Sequence, residues 1–218
     1  RDCHVRRHAQ QRVRMSENQD TTHLHRKPSG FSDHVAYGLV HLARVTADVF
    51  FRKRYGHRAV VLETIAAVPG MVGGLLIHLK SLRRIEDDKG RIRLLLDEAE
   101  NERMHLLVYV SVAQPSFLER IFIVCAQMVF FFFYFCTYML SARTAHRFVG
   151  YLEEEAIHSY SAYLAEVEAG KMVDIPAPTL AISYWHLPAT ATLRDVIIAT
   201  RSDEVHHRDE NHRLAREI

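Results

Sequence analysis

The chain has 218 residues, 48% of them hydrophobic and 25% charged, with a formal net charge of +2. That length suits one domain with a substantial core, and the balanced charge gives no reason to invoke nucleic acid as a partner. Cys3, Cys125 and Cys136 form neither a Cys-x-x-Cys pair nor an even framework, which argues against a structural disulfide and for a reducing compartment.

Residues 1–32 are polar, lack a sustained period and hold Pro28-Ser29-Gly30 near their end, so they read as an extended arm packing on its own domain or on a partner. Within residues 1–14, Arg1, Arg6, Arg7, Arg12 and Arg14 stand against one acid, Asp2. That bias fits either the remnant of an organellar transit region or an ordinary basic arm. Cys3 reads as a thiol with no special role, a redox handle being the alternative. Residues 33–218 read as one helical domain.

Residues 33–54 are expected to form a helix with Ser32 or Asp33 at its N-cap. Val35, Leu39, Leu42, Ala43, Phe50 and Phe51 make an apolar stripe, and His41, Arg44, Arg52, Lys53 and Arg54 a basic side. Such a helix suits a membrane surface, the plainer alternative being a stripe packed on the core. Residues 57–84 form the next helix and carry Glu63; Pro69-Gly70 and Gly73-Gly74 should bend it or admit a close neighbour. After the turn Asp87-Asp88-Lys89-Gly90, residues 91–113 carry Glu102 and His105 up to a stop at Pro115. Residues 121–142 hold no charged side chain, with Phe130 to Phe133 in the middle and Arg120 and Arg143 at the flanks. As a helix this run spans ~33 Å, long enough to cross a bilayer. A fifth helix, 145–169, carries Glu153 and closes at Gly170. Residues 171–190, with Pro176, Pro178 and Pro188, read as a connection, and 191–217 as the last helix, starting near Thr190 or Thr192.

Two helices repeat one pattern: Asn101-Glu102-Arg103-Met104-His105 and Glu204-Val205-His206-His207 are both Glu-x-x-His. Residues i and i+3 share a helix face, so each pair can reach one point. Glu63 and Glu153 stand among apolar or small residues, Leu62 and Ala66 for the first, Leu152, Ala156 and Ile157 for the second. A lone Glu-x-x-His is usually a solvated face; the set of four helices is what carries weight. Two helices giving a Glu and two giving Glu-x-x-His predict an all-α, ferritin-like four-helix bundle with a di-iron centre. Its metal residues are Glu63, Glu102, His105, Glu153, Glu204 and His207, the two histidines either binding iron directly or hydrogen-bonding beside it. Four carboxylates balance two Fe(II) ions, so without metal some of them should take up protons and the fold should weaken. Decoys exist in Glu155 with His158 and in Asp203 with His206. Tyr160, seven residues after Glu153, shares its helical direction and favours Glu153, while Glu204 with His207 matches the third helix. Asp203 is expected to orient a ligand from behind. Tyr160 is either a redox group beside iron or an ordinary buried tyrosine.

The apolar run poses a topological problem. One crossing by residues 121–142 would leave Glu63 and Glu102 on one side of the bilayer and Glu153 and Glu204 on the other. Sinking the whole bundle in lipid would bury Arg91, Arg93, Asp97, Glu98 and Glu100. The helix, about 116–142 with its start, is therefore expected to lie along the interface beside helix 33–54. The two would make a monotopic face that dips into one leaflet and serves in part as a dimer contact.

At these residues the chain resembles the alternative oxidases, the cyanide-insensitive quinol oxidases of mitochondria. The resemblance rests on Leu62-Glu63-Thr64, Asn101-Glu102-Arg103-Met104-His105, Leu152-Glu153-Glu154-Glu155-Ala156 and Arg201-x-Asp203-Glu204-x-x-His207, in that order. Val68-Pro69-Gly70-Met71-Val72-Gly73-Gly74 and His146-Arg147-Phe148-Val149-Gly150-Tyr151 are also similar. It covers about residues 28–213 and implies a six-helix monotopic homodimer on the matrix face of the inner mitochondrial membrane. It implies two Fe ions, a redox role for Tyr160, and a quinol pocket of Arg44, Asp48, Arg58, Leu62, Ala156 and Ser159 with Glu155 close by. It sets Tyr184 and Trp185 as an aromatic pair near the site. The implied activity is ubiquinol:oxygen oxidoreductase: two quinols reduce one O2 to two waters, and a monotopic enzyme has no path for pumping protons. The competing readings are a di-iron quinone hydroxylase or other oxygenase, separated by oxygen in the product; a plastoquinol oxidase; and, more remotely, a non-catalytic iron-binding bundle, against which the apolar run speaks.

Overall fold

The computed structural model describes residues 21–51 and 54–218. Cys3, the basic stretch 1–14, Arg52 and Lys53 lie outside the described residues. Among these the chain is all-α: α1 (Phe31–Phe51), α2 (Tyr55–Arg84), α3 (Arg91–Ala113), α4 (Phe117–Leu140), α5 (Ala142–Glu168), α6 (Thr179–Trp185) and α7 (Leu193–Glu217). The central bundle is built from α2 packed on α3 and α5 packed on α7, with α1 lying on α5 and α4 against α2 and α5.

Local chemistry explains most of the boundaries. α3 ends where Gln114 turns left-handed (φ 48°) ahead of Pro115. Ser116 and Glu119 close a capping box at the start of α4, and Thr192 with Asp195 does the same for α7. α5 starts three residues before the sequence-based boundary, because the Ser141 hydroxyl accepts from Thr144 N. α1 starts at Phe31, so Asp33 is not its N-cap. It lies in the first turn and reaches back to accept from Ser29 N (3.2 Å) and Ser29 Oγ (3.0 Å). The same carboxylate, buried, takes Arg147 Nε at 2.9 Å, a long-range tie from α1 to α5. The 171–190 connection holds a short helix, α6, closed by His186 in the left-handed region.

Pro69 sits inside α2 without ending it. The glycines there serve close approach: a Cβ on Gly70 would lie 2.3 Å from the Leu95 carbonyl oxygen and 2.9 Å from Ala99 Cβ. α2 and α3 therefore touch backbone to backbone. Apolar side chains gather in two clusters. One holds Tyr109, Tyr160, Tyr163, Trp185 and Ile197; the other holds Val40, Tyr134, Phe148, Val149 and Leu152.

Two helices are long and apolar enough to cross a membrane, α2 and α4. They differ in burial: 61% of the apolar window of α2 is buried and 6% of that of α4. Tyr134 and Tyr138 are the fully buried residues of α4, Ile123, Phe130, Phe133 and Phe135 pack half-buried against the core, and Phe117, Leu118, Val129, Phe132 and Leu140 stand exposed. On α1 the buried positions are Asp33, Ala36 and Val40, whereas Val35 and Leu42 of the apolar stripe face outward. Leu39 of the same stripe is half-buried against the second apolar cluster, so among its described side chains the stripe is turned only partly from the core.

Candidate metal centre

Four helices deliver carboxylates to one buried place. Glu63 comes from α2, Glu102 and His105 from α3, Glu153 from α5, and Glu204 and His207 from α7, all buried. Their ligand atoms fall into two groups, each within 4.8 Å: Glu63, Glu102, His105 and Glu204 in one, Glu102, Glu153, Glu204 and His207 in the other. Glu102 and Glu204 belong to both.

The contacts inside are short. His105 Nδ1 is 3.2 Å from Glu63 Oε2, 3.2 Å from Glu204 Oε1 and 3.6 Å from Glu102 Oε2. His207 Nδ1 is 2.6 Å from Glu102 Oε1 and 3.5 Å from Glu204 Oε2. Yet His207 Nδ1 and all four oxygens of Glu102 and Glu204 are buried without a hydrogen bond of acceptable geometry. Buried polar atoms are normally satisfied. Lone pairs converging without donors are what a cation satisfies, and carboxylate oxygens with imidazole nitrogens suit iron. The residues present fit a metal centre.

Electrostatics give the same picture. Burial first, then the neighbouring Glu102 and Glu204, push Glu63 and Glu153 well above the ordinary carboxylate range. Burial would raise Glu102 too, but His207 and His105 outweigh it and hold its carboxyl well below. Burial works against a charge on His105 and His207, and the surrounding carboxylates overcome it and raise both.

Behind His105 stands a bracing network. Asp203 Oδ2 lies 3.2 Å from His105 Nε2 and accepts from Trp185 Nε1 (2.8 Å) and Asn101 Nδ2 (3.1 Å), and Asn101 also donates to the Tyr184 hydroxyl at 2.7 Å. Burial would raise Asp203, but the hydrogen bonds from His105 and Trp185 hold it below its usual value. Such partners fix the ring orientation of a ligating histidine. Tyr160 donates its hydroxyl proton to Glu63 Oε1 and stacks on Tyr109, ring centroids 5.4 Å apart. Burial, then the Glu63 charge, pushes its phenol well above the ordinary range.

Of the decoys, His158 is exposed and lies 3.5 Å from an Arg44 nitrogen, away from the ligand groups. Glu155 accepts from Arg44 at 3.0 Å; Arg44 Nε is 3.6 Å from Asp48 Oδ2, and Arg58 donates to Asp48. Arg58, Ala156 and Ser159 are buried and Leu62 half-buried. Sequence reasoning missed the role of Glu98, one turn before Glu102. It is buried, and Asn211 Nδ2 donates to both of its oxygens at 3.0 Å. Asn211 Oδ1 in turn lies 3.0 Å from His146 Nδ1. The four-residue spacing from Glu102 was the only available signal.

Residues 13–216 match the alternative oxidase family. The chain is 57% identical over 188 residues to ubiquinol oxidase 1a, mitochondrial, of Oryza sativa subsp. japonica, covering 86% of this chain and 57% of that protein. It is 56% identical over 188 residues to ubiquinol oxidase 1a, mitochondrial, of Arabidopsis thaliana, covering 86% and 53%. It is 58% identical over 195 residues to ubiquinol oxidase, mitochondrial, of Batrachochytrium dendrobatidis, covering 89% and 62%. The chain thus spans a little over half the length of the curated relatives it matches.

Proposed function

The chain belongs to the alternative oxidase family, and from that premise we propose that it is a ubiquinol:oxygen oxidoreductase that reduces O2 to water at a di-iron centre. The reading is carried by the two buried ligand groups that share Glu102 and Glu204. One iron ion would be held by Glu63, Glu102, His105 and Glu204, the other by Glu102, Glu153, Glu204 and His207. Iron bound there supplies the oxygen binding and electron transfer that amino-acid side chains do not.

The chain's own residues bind, orient and hold protons. Arg44, Asp48, Arg58, Leu62, Glu155, Ala156 and Ser159 are assigned to the quinol head group. The ion-paired string Glu155–Arg44–Asp48–Arg58 offers both donors and acceptors to phenolic oxygens, and Leu62 precedes the ligand Glu63 directly. Tyr160 holds its proton on Oη, presented to Glu63, and is assigned as the catalytic side chain beside the iron ligands. Asp203, Trp185 and Tyr184 keep His105 in one orientation. The stoichiometry closes: two quinols release four electrons and four protons, which one O2 takes up as two waters.

The membrane face is assigned to the exposed side of α4 and the outward stripe of α1. Glu63 and Glu102 precede α4 in the chain while Glu153 and Glu204 follow it, and all four meet at one buried place. A single bilayer crossing by α4 would part them, so α4 is assigned to one leaflet. A chain confined to one leaflet moves no protons across the membrane. The mitochondrial names of the relatives support a mitochondrial location, and we extend it to a homodimer on the matrix side of the inner mitochondrial membrane, in the respiratory chain. The test is quinol-dependent oxygen uptake by membranes carrying the chain, with iron content measured in parallel. Glu153→Ala should abolish uptake and lower bound iron; uptake unaffected by that change would overturn the assignment.

A further inference from the structure

Glu98 is a buried carboxyl that belongs to neither ligand group. Burial pushes it up to about 7, against the pull of His207 and of the Asn211 amide. An ionisable group buried in this way is often less stable than an apolar side chain of similar size, so packing alone does not account for it. Its partner is held in one orientation. Asn211, 1% exposed, donates through Nδ2 to both Glu98 oxygens and to the His207 carbonyl, each at 3.0 Å. Only acceptors surround Nδ2, so Oδ1 faces the other way, where it accepts from His146 Nδ1 at 3.0 Å. His146 Nε2 in turn faces the Tyr138 hydroxyl at 3.4 Å. The donors of this string all point inward, from α4 through α5 and α7 to Glu98 on α3.

Polar rungs tie α3 to α7 across the centre, in antiparallel order. Tyr109 donates to Thr200 at 3.2 Å, His105 and Asn101 reach Asp203 at 3.2 and 3.1 Å, and Asn211 reaches Glu98. The Asp203 rung stands behind His105. The Glu98–Asn211 rung stands beside the other histidine. Glu98 precedes Glu102 by four residues and Asn211 follows His207 by four, so each lies one turn, ~6 Å, from a ligand. His207 Nδ1 and Glu102 Oε1 themselves lie 2.6 Å apart. The rung and this ligand pair are neighbouring links between the same two helices, and the length of one constrains the other.

From this juxtaposition we propose that Glu98 and Asn211 are the positioning pair of the second ligand group, their hydrogen bonds holding α3 and α7 at the separation that lets Glu102 and His207 share one ion. Asp203 and Asn101 do the corresponding work for His105. The inference rests on the di-iron reading of the site and adds to it the residues that set the grip on one ion of the two.

The test is competition for iron between the anaerobic, iron-loaded full chain and a ferrous chelator, read as iron retained per chain. Glu98→Gln sets an amide against the Asn211 amide and keeps one acceptor. It should lose one ion at a chelator concentration about 10–100-fold lower than the parent does, and hold the other as the parent does. Asn211→Asp, which sets two carboxyls face to face, should lose the same ion. Combining Glu98→Gln with Asn211→Asp restores a donor and an acceptor across the gap in reversed order and should recover most of the loss. The metal-free Glu98→Gln chain should melt no lower than the metal-free parent, since a buried carboxyl has gone. Single variants that keep both ions as the parent does would overturn the proposal, as would a double variant no better than the singles. A loss shared equally by both ions, with a lower Tm of the metal-free chain, would make the pair structural only and overturn it too. A parent that holds fewer than two ions would overturn the di-iron reading itself, and this pair with it.

Discussion

Replacing Gly70 by alanine tests whether the contact between α2 and α3 sets the geometry of the ligands. The added Cβ would lie 2.3 Å from the Leu95 carbonyl oxygen, 2.9 Å from Ala99 Cβ and 3.1 Å from Ala99 N. Two of these atoms are backbone and the third is attached directly to it, so no rotamer change relieves the clash. A carbon–oxygen contact settles near ~3.3 Å, so the two helices must part locally by about 1 Å. Overpacking of this kind costs roughly 1–3 kcal/mol, and a backbone obstacle belongs at the upper end. Alanine's better helix propensity returns up to ~1 kcal/mol. The net loss of about 2 kcal/mol lowers Tm by roughly 4–8 °C for a chain of this size. Gly70 stands two turns along α2 from Glu63, and Ala99 one turn before Glu102 on α3. The displacement therefore reaches the ligands, and Gly70→Ala should also hold less iron per chain. Gly38, on α1, is the control: a Cβ there meets nothing within 4 Å, and Gly38→Ala should gain about 0.5–1 kcal/mol. Calorimetry with iron analysis reads both variants. A Gly70→Ala chain that melts no lower than its parent and carries as much iron would refute the reasoning.

Tyr160→Phe removes the hydroxyl that binds Glu63; turnover should fall about 10²-fold, the scale of a lost acid–base group, with iron content and the KM for quinol little changed. An unchanged kcat in steady-state oxygen uptake would leave Tyr160 a packing residue. His146, buried and bound to Asn211, is pushed down by burial to about 4 from its ordinary 6.5. Between those values the unfolded chain binds the extra proton, so this contribution is complete above about pH 6.5 and is lost as pH falls toward 4, about 3 kcal/mol in all. Urea denaturation across that range should show the loss in the parent and a flatter profile in His146→Gln; parallel profiles would contradict it. Asp33→Asn strips the counter-ion from the fully buried Arg147 and should cost about 3–5 kcal/mol. Asp33→Asn combined with Arg147→Met should recover much of that in thermal unfolding, and a double variant no better than the single would show that the ion pair is not the cause.

The helices were legible wherever period and stop signals coincided. α3 runs from Arg91 to Ala113 as its pattern and Pro115 require. α6 was not legible, because seven residues between Pro178 and the left-handed His186 make too few turns to show a period. α1 was legible as an amphipathic helix but not in its orientation. A stripe of Val35 and Leu42 looks the same whether it meets a core or stands exposed, and the buried side of α1 carries an aspartate paired with an arginine 114 residues away. Composition has the same blindness in α2 and α4, which are equally apolar and differ tenfold in burial. α2 is apolar because Ala and Gly positions press on α3, and α4 because from Ile121 onward its outer surface carries no charge.

The six carboxylate and imidazole residues picked from spacing come together, since i and i+3 on a helix have no choice but to share a face. What spacing does not contain is which carboxylates the two groups share. Glu102 and Glu204 both come from Glu-x-x-His helices, and each stands one turn before a histidine belonging to a different group. A Glu whose histidine lies on its own side is drawn toward the middle between the two groups. Glu63 and Glu153, from helices with no such histidine, remain one to each end. That division follows from packing α2 on α3 and α5 on α7 before the two pairs meet, which is a property of the tertiary fold and of no single helix. The same packing sets Tyr160 on Glu63 rather than on the nearer-in-sequence Glu153: a side chain seven residues along its own helix points across to the opposite pair. A proton held on Tyr160 is thereby tied to the group that contains His105 and its Asp203 brace, on the side of the centre where Leu62 and Arg58 begin α2.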